Sequence, residues 1–233
     1  AGCQPIHDGA KESFSPLKQL SLSSDGIALE IVTVRFPHGD PELAETLWDD
    51  IDEQKFSPET RRQLALHGFR AGVIGERVPL ALEKALTQKS AGEGGGAGDL
   101  TFEDEAPVLS RIVFVRAGGK CEVLASSVYE ELPLLRRDEN GDVGGDIYRQ
   151  AQGLFVVKAF PQHDGRVRLN VTPELQHGQP KQQFIQQDGM FRPQAAKPRR
   201  TFDELSLDAT LGAGQMLVLA TQAETGTVGH YFL

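Results

Sequence analysis

The stretch Gly153–Gly178, GLFVVKAFPQHDGRVRLNVTPELQHG, constrains the fold more than any other part of the chain. Two runs with strand character, Leu154–Phe160 and Val167–Val171, flank the polar turn His163-Asp164-Gly165. On the second run Val167, Leu169 and Val171 alternate with Arg166, Arg168 and Asn170, which predicts one buried and one wet face. Thr172-Pro173-Glu174-Leu175 reads as the strand's terminus, because proline cannot extend a central ladder. A partner for this hairpin is expected near the C-terminus. There Leu205, Leu207, Ala209 and Leu211 alternate with polar residues within Phe202–Leu211, Gly212-Ala213-Gly214 turns the chain, and Met216–Ala220 is an apolar strand. Tyr231-Phe232-Leu233 is expected to dock into the core.

Upstream the pattern differs. Ile27–Phe36 is rich in β-branched residues and predicts a strand buried on both sides. Asp40-Pro41-Glu42 and Ser57-Pro58-Glu59 each carry cap and first-turn signals, so Asp40–His67 should be two short helices broken near Lys55–Ser57, with Trp48 on the apolar face and Gly68 as the C-terminal cap. Phe69–Gly75 predicts a strand and Pro79–Gln88 a helix. After the glycine-rich Ala91–Gly98, Val108–Val115 and Lys120–Ala125 predict a hairpin, and Glu130–Asp146 a polar interruption anchored by Leu132, Leu134 and Leu135. Phe184–Arg200 predicts a polar excursion ending in the basic patch Lys197-Pro-Arg-Arg200.

The expected fold class is therefore α+β. A flexible tether (1–20) precedes a small N-terminal α/β unit (21–90), a Gly-rich linker loop (91–107) and a larger, mostly antiparallel β unit (108–233). With 39% hydrophobic and 24% charged residues the chain can bury a sizeable core. A formal net charge of -9 argues against nucleic acid or an anionic membrane surface as partner.

Signals for chemistry are sparse. His7, His38, His67, His163, His177 and His230 never fall at ligand spacing. Asp138, Asn140 and Asp142 alternate as in a calcium loop, but Val143 stands where glycine is expected and Arg149 where glutamate is expected, which favours a solvated turn. The glycine-rich segment lacks the Lys-Ser/Thr ending of a phosphate loop, and no GxSxG nucleophile elbow is present. Asn170-Val171-Thr172 spells a glycosylation sequon, which a bacterial setting would leave unused. A hydrolase assembled from His163, His177 and distant acids is the weakest reading. No catalytic residue, cofactor or metal is expected.

Ala1-Gly2-Cys3 matches the end of a bacterial lipobox, which makes Cys3 the candidate lipidation site; a trimmed N-terminus with a chance cysteine is the competing reading. Cys121 then reads as a small buried hydrophobe, with a Cys3–Cys121 disulfide as the alternative.

Two resemblances follow. Gly165–Leu175 together with Leu205–Leu219 resembles the core of bacterial secretins, where a strand ending in Pro-Glu is followed by a strand, a Gly-Gln turn and an apolar strand. The double glycine and the Val-Pro-rich lip segment of that family are missing, which argues against a pore. Trp48–Glu53, Gly68–Gly75, Thr172–Gly178 and the Gly229-His-Tyr-Phe ending resemble an uncharacterised family of planctomycete envelope proteins, which often carry a lipobox. That resemblance implies a compartment and no activity. The expected function is that of a non-catalytic cell-envelope lipoprotein, on the periplasmic side or at the outer membrane, or secreted if Cys3 carries no lipid. It would contact other envelope proteins or its own copies and touch the membrane only through a lipid on Cys3. A small-molecule or glycan-binding module using residues 184–200 is the alternative.

Overall fold

The computed structural model describes residues 26–34, 47–75, 77–80, 82–84, 86, 108–137, 143–187, 190–221 and 226–233. The expected tether, Cys3, the Asp40-Pro41 helix start, the linker loop 91–107 and Asp138–Asp142 lie outside them. The described residues form twelve strands: β1 (Gly26–Val34), β2 (Phe69–Ile74), β3 (Val108–Arg116), β4 (Lys120–Leu124), β5 (Tyr129–Arg137), β6 (Val143–Pro161), β7 (Val167–Gln176), β8 (Lys181–Gln187), β9 (Met190–Ala196), β10 (Arg199–Thr201), β11 (Leu207–Leu211) and β12 (Met216–Thr221). All their pairings are antiparallel, and helices are few.

β6 and β7 form the expected hairpin, with Val157 opposite Val171 and Ala159 opposite Leu169. The turn is tight. Gly165 takes φ +79°, its N–H donates to the Gln162 carbonyl, and the Asp164 carboxylate accepts from the Arg166 N–H. Leu169, Val171, Pro173 and Leu175 are buried in alternation. β7 therefore runs straight through Pro173, and the expected terminus at Thr172–Leu175 is corrected. Pro173 is tolerated because its nitrogen faces away from β6. The Pro173 carbonyl, which points the same way, accepts from Phe202 N–H at 3.0 Å. On that side β11 pairs with residues 167–171 and β10 with residues 174–176. A 3-10 turn, Asp203–Leu205, separates those two strands, so no ladder bond is lost at the proline.

Three further expectations change. The described residues of Glu130–Asp146 are strand and not an interruption: β5 pairs with the first half of the 19-residue β6. Residue 150 takes φ +50°, a kink that lets β6 leave β5 and continue between β4 and β7. β3 and β4 do not pair with each other; a turn closed by Gly119 N–H on the Arg116 carbonyl sends β3 to β1 and β4 to β6. Phe184–Arg200 contains an antiparallel hairpin, β8–β9.

Within 21–90 the helical expectations hold at residues 47–49 and at Pro58–Leu66. The first helix ends before Asp52, which bridges to Val73 of β2 and leads into a 3-10 turn, Glu53–Lys55, so the break falls earlier than Lys55–Ser57. Ser57 caps the Pro58–Leu66 helix by accepting from Thr60 N–H, and Gly68 follows with φ +79°. The two strands of that region, however, lie in separate sheets: β1 pairs with β3 and β2 with β12, across the boundaries expected at 90 and 107. One core continues across both regions. Ile27, Phe56, Leu64, Phe69, Phe155, Leu175, Phe202 and Phe232 belong to it. A smaller cluster joins Leu47, Ile51 and Ile74, with Trp48 packed against it and Arg70 stacked on the Trp48 ring. The C-terminal helix, Val228–Phe232, buries Phe232 among Phe69, Phe155 and Phe202, while Leu233 stays exposed.

Candidate functional site

The β5–β6 ribbon has two faces with opposite characters. Leu132 and Leu134, each 1% exposed, point inward together with Tyr148 and Asp146, their register partners. Glu131, Pro133 and Leu135 point outward with Arg149, Ile147 and Gly145. The outward Ile147 is 70% exposed and Leu135 46%. An ion pair between Arg149 and Glu131, at 3.2 Å, borders this apolar face. Beyond it lies a shallow groove lined by Glu130, Glu131, Arg149, Gln150, Gly178 and Gln179.

The inner face is fastened to the main sheet by the basic patch. In β10, Arg199 and Arg200 point to opposite faces, as neighbours in a strand must. Arg200 Nη1 donates to Tyr148 Oη at 2.7 Å and to Asp146 at 3.3 Å, with its guanidinium over the Phe202 ring. Its Nε is buried and lacks a hydrogen-bond partner. Arg199 forms a fork on both oxygens of Glu122, at 2.7 and 3.0 Å, and also reaches Glu174 at 3.2 Å. The Arg199 hydrogen bonds hold the Glu122 carboxyl below the ordinary glutamate range and raise the Arg199 value. Both arginines are thus engaged by this chain's own groups. His177 sets its ring edge-on to Tyr148, with centroids 4.9 Å apart. Burial, then Lys181 and Arg200, pushes its pKa below that of a free histidine.

The other sequence candidates are scattered. His163 sits in the exposed β6–β7 turn and His177 just past the far end of β7, roughly 30 Å away for a ten-residue strand. They are not brought together. His67 is buried at the end of the Pro58–Leu66 helix, where Nδ1 donates to the Gln63 carbonyl, and His230 lies against Tyr231. Among the described residues no group of three or more His, Cys, Asp or Glu is placed to hold a metal ion. Cys121 is half-buried rather than buried, and burial raises its thiol pKa. The β5–β6 surface was missed because Glu130, Glu131, Arg136 and Arg137 mask the alternation of Leu132 and Leu134. Comparison of the chain with protein-family models, curated proteins and solved structures yields no match.

Proposed function

We propose that this chain is a non-catalytic cell-envelope protein that works by protein–protein contact through the outer face of the β5–β6 ribbon. The carrying observation is the pair of outward apolar residues, Ile147 and Leu135, on a ribbon whose inner face is tied down by Arg200. Single exposed apolar residues are ordinary, whereas neighbouring ones rimmed by an ion pair have the make-up of an interface centre. The partner is another envelope protein or a second copy. The envelope placement draws on Ala1-Gly2-Cys3, with Cys3 as the lipid attachment site. The likeness to secretin β cores belongs to the same reading; the antiparallel pairing of β7 with β11 favours it, whereas β12 lies apart, paired with β2, and β7 continues past Pro173.

A photo-crosslinking amino acid at position 147, in cells, tests the contact. Adducts with an envelope protein or a second copy should form there and be absent when the probe replaces the exposed Lys55. Equal labelling at both positions, or none at 147, sinks it. For the anchor, Cys3→Ser should release the protein from the membrane fraction; unchanged attachment sinks that part alone. The groove supports a second reading, a glycan or small polar ligand held by Glu130, Gln150 and Gln179 next to β8. A sugar panel that raises the melting temperature, with the rise lost in Gln150→Ala, is its expected signature.

A further inference from the structure

Four exposed cations crowd the end of the molecule where β3 turns into β4, although the whole chain is acidic. Arg116 closes β3 and Lys120 opens β4; Lys158 is the register partner of Lys120, and Arg168 lies over the Phe160 ring. That ring reaches the turn itself, 3.7 Å from where a side chain on Gly118 would begin. Two neighbouring carboxylates are held in ion pairs, Glu122 by Arg199 and, at 3.8 Å, by Lys120, and Asp164 by Arg166. Glu30, opposite Ile112, and Asp208, opposite Asn170, add two negative charges beside the four cations. Beside the cations, on the outer face of β3, Phe114 and Ile112 are 63% and 62% exposed. Phe114 stands opposite Ala28, and Arg116 opposite Gly26, the first residue of β1. The chain toward Cys3 therefore leaves from the edge of this patch. The 22 intervening residues span at most about 80 Å, whatever path they take.

We propose that this end of the molecule rests directly on the surface of an anionic phospholipid bilayer, with Phe114 and Ile112 in the headgroup layer and Arg116, Lys120, Lys158 and Arg168 against the phosphates. The inference rests on the envelope reading and adds a contact to the anchor at Cys3. Charge complementarity selects the occupant: a net charge of -9 repels an anionic surface on average, so such a surface must be met by a locally basic face, and here four cations outnumber the two carboxylates beside them. Each Lys or Arg held near such a surface is worth about fivefold in partition, so the four outweigh what two side chains could add through apolar area alone.

The test separates contact from lipidation. The full chain carrying Cys121→Ser is coupled through the Cys3 thiol to vesicles containing a maleimide lipid, with and without phosphatidylglycerol. Phe114→Trp is compared with the parent, which has Trp48 alone. With phosphatidylglycerol, brominated lipid should quench the variant at least about twofold more than the parent. That excess should vanish at about 0.5 M salt, where the Debye length is a few ångström. In uncoupled protein, Lys120→Glu with Lys158→Glu should lower partition at least about thirtyfold. Quenching equal to the parent's overturns the proposal. So does a position-114 emission already blue-shifted before vesicles are added, which means that protein covers the face. In cells, retention of Cys3→Ser at the membrane strikes the anchor only if it survives Lys120→Glu with Lys158→Glu, because this contact can itself hold the protein there.

Discussion

The Tyr148 hydroxyl accepts a 2.7 Å hydrogen bond from Arg200, 52 residues further along the chain. This bond and the contact with Asp146 join the β5–β6 ribbon to β10. Replacing Arg200 by Met should destabilise the protein by about 1–3 kcal/mol, because two acceptors lose a charged donor. The partial exposure of the group favours the lower end. Arg200→Lys should not restore stability, since an ammonium cannot serve both acceptors while stacking on Phe202. Urea unfolding checks both variants, and a loss under about 0.5 kcal/mol in Arg200→Met would show that the bond does not fasten the ribbon.

The C-terminal helix is seated by glycines. Gly229 N–H donates to the His67 carbonyl at 2.8 Å, and a side chain on Gly229 would collide with the Gly68 backbone. A side chain on Gly153 would come within 2.9 Å of the Phe232 ring. Gly229→Ala should therefore unseat the helix and cost about as much as Phe232→Ala, roughly 3–5 kcal/mol. The double variant should cost little more than either single change, because both empty the same site. Additive losses in denaturant unfolding would contradict this.

The legible parts of the fold were those whose signal is local. The Gly165 turn, the Ser57 cap, Gly68 and the alternation of β7 each depend on a few neighbouring residues, and the structure has them as read. Pairing depends on residues far apart. Nothing near β2 says that its partner is β12, or that β1 takes β3 while β4 takes β6. Pro173 misled because its cost depends on what lies beside it, and the break between β10 and β11 is a tertiary fact. The candidate site was hidden for the same reason. The Lys197–Arg200 patch looked like free positive charge, yet Arg199 and Arg200 are taken up by Glu122, Glu174, Asp146 and Tyr148, all supplied by other strands.

The Arg199 fork makes stability acid-sensitive. The Glu122 carboxyl titrates below its ordinary value in the folded chain because of Arg199, so the unfolded state binds the proton first. Its contribution is complete above the ordinary glutamate range and fades as the pH falls through the lowered folded value. Arg199→Gln should lower stability at pH 7 and flatten the decline below about pH 4.5. The size stays small, since both partners are about one-third exposed and water screens them. Parallel curves of wild type and variant from neutral to acid pH would refute the assignment.

His177 adds a second pH dependence at milder acidity. Its ring meets Tyr148, and the charges that act on it are Lys181 and Arg200, the latter tied to Asp146. Burial and these two cations disfavour the imidazolium, so the folded pKa lies below the free value and the unfolded chain takes up the proton more readily. Stability is therefore greatest above about pH 6.5 and declines as the pH drops from there toward the folded pKa. His177→Phe keeps an aromatic edge against Tyr148 and removes the proton. It should match the wild type above neutrality and be the more stable of the two near about pH 5.5. An unfolding series across this range, with the His177 ring followed by NMR titration, decides the matter. A ring that titrates at or above the ordinary histidine value would mean that Lys181 and Arg200 do not act on it as placed.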